Sequence, residues 1–252
     1  MCINVGTVLC LFPHQDDEFG LFQHIFNHVD NKDNVVCVYL TSGVADGSIS
    51  VYRNNESINV LNKLGVNREN IIFFGSYYKI KDGCLLDYIN IIYFYIEHLI
   101  RIYKNITSIY VPAWEGGHQD HDTLNAVVTK LAISYNKLNI LKQFPVYNGY
   151  KCKLFFNLFC PLYENGTVFR ENINFKNKLK FITYLLSYKS QYKVMITILP
   201  AIIYHYLFIG YEYSQEVLRQ RYLDRPHTGL LLYERRGRVN FSDLIGKLNS
   251  YY

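Results

Sequence analysis

Short apolar runs alternate with helix-like segments along residues 1–135 of this chain. The runs that predict buried strands are Thr7–Phe12, Val35–Thr41, Ile71–Phe74 and Ser108–Pro112. Between them, apolar residues recur at helical spacing. This spacing predicts helices over Phe19–Val29, Ser57–Gly65 and Leu85–Tyr103, and a further helix that starts near Asp122 or Thr123. Gly65, at the end of the second of these segments, is a typical helix stop.

This alternation predicts an α/β fold of the Rossmann-like, doubly wound type, with a mostly parallel sheet and helices on both faces. In the common strand order 3-2-1-4, the first and fourth strands are neighbours, and ligands bind beyond their carboxyl ends. We therefore expect the chemistry just after Phe12 and just after Pro112. A chain of 252 residues is short enough for one domain, so we expect a single domain over 1–252, in which 140–252 shapes the substrate pocket.

Both of these strand ends are followed by segments rich in histidine and acidic residues. The segments are Pro13-His14-Gln15-Asp16-Asp17-Glu18-Phe19-Gly20 and Trp114-Glu115-Gly116-Gly117-His118-Gln119-Asp120-His121-Asp122. Three consecutive acids beside a histidine concentrate repulsion, which a cation would offset. Either loop alone is as well explained by an exposed acidic turn or a helix cap. Their occurrence together at the switch point of the sheet favours a binding site.

The donor groups in the two loops suit a metal ion. Imidazole and carboxylate ligands are typical of zinc, and a catalytic zinc site combines three protein ligands with one open position. Two histidines and one carboxylate meet that count. Either Asp16 or Asp17 can be the carboxylate ligand, and the other is then free to take a proton from an attacking water. The predicted cofactor is Zn²⁺, with another divalent metal as the alternative.

The two loops also resemble the motifs of a known family. His14-Gln15-Asp16-Asp17-Glu18 is similar to a first motif that is usually His-Pro-Asp-Asp-Glu, and His118-Gln119-Asp120-His121 is similar to a second, His-x-Asp-His. Further similar stretches are Leu40-Thr41-Ser42-Gly43, Arg53 with Glu56, Leu64-Gly65 and Tyr188-Lys189-Ser190-Gln191. The family that these motifs resemble is the PIG-L, or LmbE-like, zinc-dependent N-deacetylases. Gln15 replaces the usual proline, which loosens the turn but removes no ligand.

The resemblance implies an LmbE-like fold and a set of roles. The implied metal ligands are His14, Asp17 and His121. Asp16 would be the general base, His118 would polarise or protonate the tetrahedral intermediate, Asp120 would orient His118, and Arg53 would reach the substrate sugar. The implied reaction is hydrolysis of an N-acetyl group by metal-activated water. The implied substrate is of the N-acetylglucosamine type: a glycolipid, a glycoconjugate or a sugar precursor.

Three residues near these loops have both a functional and a structural interpretation. Glu18 either bonds a substrate hydroxyl or begins a helix, where a negative charge suits the dipole. Trp114 either lines the sugar site or packs in the core. Arg53 lies in a segment of small and polar residues, 43–55, which we predict to be a loop that folds over the pocket. The alternative for Arg53 is a surface charge paired with Glu56.

Composition narrows the class of protein. Half of the residues are hydrophobic and 19% are charged, which is typical of a soluble globular protein. A formal net charge of +5 falls short of the concentrated basic surface of a nucleic-acid binder, so we expect no nucleic-acid partner. The six cysteines include no Cys-x-x-Cys pair, which favours reduced thiols in a cytoplasmic protein.

Two C-terminal features leave a peripheral membrane contact open. The apolar segment 194–211 is interrupted by Pro200 and His205, which makes it marginal for crossing a bilayer but suitable for lying on one. A run of six arginines follows, namely Arg219, Arg221, Arg225, Arg235, Arg236 and Arg238. Such a run is either a solvated face or a site for phosphate or anionic lipid headgroups. We expect the protein in the cytoplasm, and the alternative is the cytoplasm at the inner membrane surface.

Two other functions fit parts of the pattern. Two histidines and one carboxylate also form the facial triad of non-haem iron oxygenases. The parallel α/β pattern and the His118-x-Asp120 pair favour hydrolysis over oxygenation. A non-catalytic module that binds sugar or lipid on the same scaffold is the third interpretation, and the presence of every expected catalytic residue argues against it. The sequence leaves the N-acetylated substrate, the native metal and the oligomeric state open.

Overall fold

A computed structural model describes residues 5–44, 50–152 and 156–250 of the chain. Its strands are β1 (Thr7–Phe12), β2 (Asn34–Tyr39), β3 (Ile71–Ile72), β4 (Ile106–Pro112), β5 (Leu141–Phe144), β6 (Tyr147–Asn148), β7 (Asn157–Leu158), β8 (Val168–Asn172) and β9 (Tyr211–Glu216). Its α-helices are α1 (Phe22–Asp30), α2 (Ser50–Leu64), α3 (Phe74–Tyr77), α4 (Ile89–Ile102), α5 (Gln119–Ser134), α6 (Phe175–Leu185), α7 (Tyr192–Tyr204), α8 (Leu232–Arg235) and α9 (Phe241–Ser250). Short 3-10 turns precede α1 and α4, and α7 continues into a π-helical turn, His205–Ile209.

Within the described residues, seven strands form one sheet in the order β3-β2-β1-β4-β5-β9-β8. The first five strands of this order pair in parallel, and β9 pairs antiparallel with both β5 and β8. The predicted 3-2-1-4 order and the mostly parallel sheet are therefore confirmed. β6 and β7 form a separate two-stranded ribbon.

Alternate residues of β1 face two separate hydrophobic cores, one on each side of the sheet. Leu9 and Leu11 pack in a core with α4, α5 and α9, whereas Val8, Cys10 and Phe12 pack in a core with α1, α6 and α7. Every residue of β1 is buried, as expected for a central strand of a parallel sheet that helices cover on both faces.

Several element boundaries differ from the sequence prediction, for example β3, which ends at Ile72 because Phe74 begins α3, and two of the differences concern segments that carry candidate site residues. α2 begins at Ser50, so Arg53 and Glu56 lie on a helix and not in a loop; residues 45–49 lie outside the described part. Arg53, Ser57, Val60, Leu61 and Leu64 are buried along one side of α2, and this tertiary burial outweighs the weak helix propensity of its polar first turns. α5 begins at Gln119, a few residues before the predicted start.

The cysteines in the described part of the chain are free thiols: Cys10, Cys37, Cys84, Cys152 and Cys160. This agrees with the prediction of reduced thiols for these five residues. Cys2 lies outside the described residues.

The parallel pairing of β1 with β4 brings their carboxyl ends to the same edge of the sheet. The loop after β2 is tied to the same place, because the backbone N–H and the hydroxyl of Thr41 both donate to the carbonyl oxygen of Pro13, at 2.9 and 2.7 Å. The two histidine-rich loops therefore meet at the predicted switch point.

Candidate active site

The loop after β1 separates two neighbouring carboxylates. The backbone N–H of His14 donates to Oδ2 of Asp17 at 2.8 Å, and the same oxygen lies 3.2 Å from Nδ1 of the His14 ring. Asp16 has a φ of 99°, a conformation that residues other than glycine rarely adopt. This turn directs Asp17 to His14 and leaves Asp16 lining a cavity.

The loop after β4 needs its glycine pair for close packing. A Cβ on Gly117 would lie 2.0 Å from the carbonyl oxygen of Tyr147, and Gly116 has a φ of 71°. The carboxylate of Asp122 accepts a hydrogen bond from the N–H of Gly116 at 3.2 Å, which holds the turn. His118 then caps the N-terminus of α5.

His14, Asp17 and His121 come together as a buried cluster. Oδ1 of Asp17 lies 3.1 Å from Nε2 of His121, and Oδ2 lies 3.2 Å from Nδ1 of His14. One ligand atom from each residue lies within 4.8 Å of those from the other two. Burial raises the pKa of Asp17, but His121 and His14 outweigh this effect and hold the pKa well below its usual value. The carboxylate is therefore ionised, as a metal ligand must be.

The cluster contains an unsatisfied group that a metal ion would satisfy. His121 is fully buried, its Nδ1 has no hydrogen-bond partner among the described residues, and the contact of its Nε2 with Asp17 lacks the geometry of a hydrogen bond. A buried polar atom without a partner costs about 1–3 kcal/mol, so such atoms point to a missing ligand. Two imidazoles and one carboxylate match the donor set of a three-ligand divalent site. The three residues therefore fit a resident metal ion.

Asp120 contacts a different histidine from the one that the resemblance implies. Its Oδ2 lies 3.1 Å from Nε2 of His14 but 4.0 Å from Nδ1 of His118, which is beyond hydrogen-bond distance. The same carboxylate accepts the N–H groups of Gly83 and Leu85, at 2.7 and 3.1 Å. These bonds pull it away from His118 and towards His14. The carboxylate thus orients a candidate metal ligand, an arrangement common around protein-bound zinc.

His118 is oriented by the backbone of Asp120 and not by its side chain. Nδ1 of His118 accepts the Asp120 N–H at 3.2 Å, so the neutral ring carries its proton on Nε2. Burial lowers the pKa of His118, and contact with Asp82 raises it by less. The ring is therefore neutral near pH 7; its Nε2 lies 3.4 Å from Oδ1 of Asp82, and the side chain lines the cavity.

Asp82 is a site residue that the sequence analysis missed. Its Oδ1 lies 3.4 Å from Nε2 of His118 and 3.4 Å from Nε2 of His14. It belongs to the Lys81-Asp82-Gly83 turn between α3 and α4. The available signal was an acidic residue beside a glycine on the segment after β3, whose carboxyl end shares the sheet edge with β1 and β2.

Arg53 holds the second carboxylate of the loop. Its guanidinium lies 3.1 Å from Oδ2 of Asp16 and donates to backbone carbonyl oxygens of the loops after β1 and β2. Burial raises the pKa of Asp16 to about 7, although Arg53 lowers it. A carboxylate with a pKa near neutrality suits a general base. Glu56, the alternative partner of Arg53, instead accepts the N–H of Ser190 at 2.8 Å.

The polar groups open into a cavity of about 380 Å³. Its polar wall carries His14, Asp16, Asp17, Arg53, Asp82, His118, Arg236 and Arg238. Its apolar wall carries Phe19, Phe156, Leu158, Val194, Met195 and Ile198. A mostly apolar cavity with convergent polar groups at one end is typical of a small-molecule site.

Glu18 and Trp114 do not line this cavity. Glu18 is fully buried and accepts hydrogen bonds from the hydroxyl of Tyr188 and the N–H of Asp16, both at 2.9 Å. Glu18 also lies in the first turn of the 3-10 helix that precedes α1, which is the helix-start interpretation, and it supports the loop from behind. Trp114 packs in the core against Phe241, and its Nε1–H donates to a backbone carbonyl at 2.8 Å. The tryptophan follows the core-packing alternative, because β4 delivers it to the side of α9.

The arginines of the C-terminal run make different kinds of contact. Arg236 and Arg238 line the cavity. Arg225 pairs with Glu234, and Arg221 and Arg235 donate to backbone carbonyl oxygens. Three of the six arginines therefore make structural contacts, and the last two of the run bring positive charge to the candidate site.

The same site-bearing region matches a known family. The family model described as PIG-L, GlcNAc-PI de-N-acetylase, matches residues 9–132. No curated protein matches the chain significantly.

Solved structures with a similar fold include several deacetylases. A teicoplanin deacetylase in a zinc-inhibited form superposes with a TM-score of 0.64 at 14% identity, covering 84% of this chain and 98% of that chain. A conserved protein from Thermus thermophilus gives a TM-score of 0.60 at 15% identity, covering 84% and 93%. The N,N'-diacetylchitobiose deacetylase from Pyrococcus horikoshii gives 0.53 at 18% identity, covering 85% and 84%. At these identities the likeness establishes the fold. The family match covers residues 9–132, the part of the chain that carries both loops, and identifies this part as similar to the PIG-L family.

Proposed function

We propose that this protein is a metal-dependent N-deacetylase that hydrolyses the N-acetyl group of an N-acetylglucosamine-type molecule. One observation carries the proposal: the buried His14, Asp17 and His121 cluster is flanked, on its cavity side, by a carboxylate and an imidazole N–H. Amide hydrolysis needs both groups, one to accept a proton and one to stabilise negative charge.

His14, Asp17 and His121 would hold the ion. A divalent metal bound there would supply Lewis-acid activation of the amide carbonyl and of water. Asp120 holds the His14 ring through Nε2 and thereby leaves Nδ1 facing Asp17. The chain thus presents the ligand atoms in a fixed arrangement before the metal arrives.

Asp16 acts as the proton acceptor. Its carboxylate takes a proton from the attacking water as the water oxygen bonds to the amide carbon. The carbon–nitrogen bond then breaks, and the same proton passes to the leaving nitrogen, so that acetate and a free amine are released. Arg53 keeps the Asp16 side chain in place, and the left-handed backbone at Asp16 keeps it apart from Asp17.

His118 stabilises the charge that develops on the carbonyl oxygen. Because Nδ1 is occupied by the Asp120 N–H, Nε2 of the neutral ring is the hydrogen-bond donor of a side chain that lines the cavity. A preorganised donor of this kind is most effective in a buried site from which water is excluded. Asp82, beside His118 and partly exposed, is placed to accept a hydrogen bond from a sugar hydroxyl.

The substrate class is supported by the lining and by the relatives. Arg53, Asp82, Arg236 and Arg238 provide hydrogen-bonding groups around the polar end of the cavity. The family is described by its action on GlcNAc-PI, and one structural neighbour is a deacetylase of N,N'-diacetylchitobiose. Both descriptions are consistent with an N-acetylated amino sugar as the substrate of this chain.

The test is a screen for acetate release. Purified protein is stripped with a chelator, reloaded with zinc and offered lipid-linked, inositol-linked, nucleotide-linked and free N-acetylglucosamine. Zinc is titrated from below one equivalent, because one structural neighbour was solved in a zinc-inhibited form. We expect acetate and free amine in equal amounts from at least one substrate, and none from the stripped protein.

The same assay separates the alternatives. Consumption of oxygen without acetate release would favour the iron oxygenase. Tight sugar or lipid binding without turnover under every metal condition would favour the non-catalytic module.

A further inference from the structure

The helical segment that walls the cavity has an unusual outer side. By length and composition, Lys189–Ile209 is apolar enough to cross a membrane. Only 28% of its most apolar 18-residue stretch is buried within the protein. Its inner side packs Met195, Ile198 and Ile202 into a hydrophobic core. Its outer side exposes Tyr192, Val194, Ile196, Tyr204, Leu207, Phe208 and Ile209. The outer side of a surface helix is normally charged or polar, whereas this side is apolar and no described residue covers it.

α6 packs against α7 and extends the same surface. It exposes Phe175 and Leu179, and Leu186 follows directly after it. We call the exposed apolar side chains of α6, α7 and the π-helical turn the α6–α7 face. An apolar surface of this extent marks an interaction site.

The charge around this face has one sign. Residues 173–211 contain no aspartate or glutamate, and they contain Lys176, Lys178, Lys180, Lys189 and Lys193. The charge of these five lysines equals the formal net charge of +5 of the entire chain. The basic and acidic residues outside this segment therefore cancel each other. None of the five forms an ion pair within the part of the chain that the structure describes.

An anionic lipid surface suits this combination better than a second copy of the chain. Two copies joined through the face would bring two sets of unpaired lysines together, which costs electrostatic energy. Lysines beside apolar and aromatic side chains are typical of helices that lie in the membrane interface, where each lysine is attracted to anionic headgroups. Tyr192, Tyr204 and Phe208 supply the aromatic side chains.

The helix is held on the protein and is not free to span a bilayer. Met195 and Ile198 belong to the core and also line the cavity, so withdrawing α7 would open both. Val194 and Thr197 line the cavity and are exposed, which puts the cavity mouth at the border of the α6–α7 face.

We propose that the α6–α7 face docks on the surface of an anionic lipid bilayer and presents the cavity mouth to it. This inference concerns a binding surface, and its test needs no substrate. Failure of docking and failure of deacetylation are therefore distinguishable.

The experiment measures co-flotation of the full-length, metal-loaded protein with vesicles. One set contains phosphatidylcholine alone, and the other contains equal amounts of phosphatidylcholine and phosphatidylglycerol. We expect strong binding to the second set, weaker binding to the first, and a loss of binding as salt is raised, because screening weakens the contribution of the lysines.

The variant Ile196→Asp/Phe208→Asp isolates the face. These side chains are 69% and 74% exposed and do not line the cavity, so we expect a normal fold and at least a roughly tenfold weaker partition into anionic vesicles. Phe94→Asp is the matched control: Phe94 is 66% exposed on α4, on the other side of the sheet, and its replacement should leave partition unchanged.

Three results would overturn the proposal. The first is that the wild-type chain stays with the aqueous phase in the presence of anionic vesicles. The second is equal partition of the Ile196→Asp/Phe208→Asp variant. The third is a stable wild-type dimer that the same variant dissociates, which would make the face a contact between copies.

Discussion

Nε2 of His14 donates a hydrogen bond to Asp120, whose Oδ2 lies 3.1 Å away. The contact joins the loop after β1 to the first turn of α5, which carries His121. Because the carboxylate fixes the His14 ring from behind, Nδ1 is left to face Asp17. The relative position of the candidate ligands His14, Asp17 and His121 thus depends on Asp120, which is not one of these three.

Asp120→Asn should weaken metal binding. The replacement keeps the size of the side chain but removes the charge that holds His14, so we expect a loss of about 10–100-fold in zinc affinity. Competition with a chromophoric chelator measures it. Asp122→Asn is the matched control, since Asp122 lies on the same turn and bonds backbone N–H groups after β4. Equal affinities for wild type and Asp120→Asn would remove this role from Asp120.

His118→Ala should separate catalysis from metal binding. Loss of the Nε2–H donor should lower kcat by about 10²–10³-fold with little change in zinc affinity. His118→Gln, whose amide can donate, should recover part of the loss. The measurements are steady-state acetate release and metal content. A variant that loses its metal along with its activity would make His118 a ligand instead of a donor.

Gly117→Ala should destabilise the fold. The added Cβ would lie 2.0 Å from the carbonyl oxygen of Tyr147, a backbone atom that cannot easily move, so we expect a loss of about 2–3 kcal/mol in urea unfolding. Gly246→Ala, in α9 with open space around its Cβ, should instead stabilise by about 0.5–1 kcal/mol. Indistinguishable stabilities for the two variants would contradict the close approach at Gly117.

Stability should fall with acidification partly through His205. Burial lowers the pKa of His205, although the bond of its Nε2 to the Tyr211 carbonyl oxygen opposes this. A lowered pKa means that the unfolded chain takes up the proton first. The contribution of this group is therefore present above about pH 6.5 and is lost as pH falls below it, by up to about 1.4 kcal/mol per pH unit. Urea unfolding between pH 8 and pH 5 should show wild type losing stability relative to His205→Gln; parallel curves would exclude His205 as a cause.

The ends of β1 and β4 were predictable because the patterns there are local. An unbroken apolar run followed by charged residues defines where each strand ends, and the alternation with helices defines which strands are neighbours. That order alone predicts that the two histidine-rich loops meet, whereas the choice of His14, Asp17 and His121 as ligands came from the family resemblance. The start of α2 was not predictable in this way, because burial of Arg53 against the two loops is a tertiary effect.

The finer contacts of the site depend on packing that no local pattern encodes. Asp120 was expected beside His118 because the two are close in sequence, but the N–H groups of Gly83 and Leu85 draw its carboxylate to His14. Asp82 reaches the site from the same distant turn. Trp114 follows a site-forming strand yet turns into the core, since side chains alternate between the two faces of a sheet.

Asp16→Asn tests the central claim most directly, with acetate release and bound metal measured on the same preparation. A carboxamide cannot accept the proton of the attacking water, whereas His14, Asp17 and His121 are left intact. We expect turnover to fall by about 10²–10⁴-fold while metal content stays near one ion per chain. Unchanged turnover in this variant would contradict the proposed mechanism.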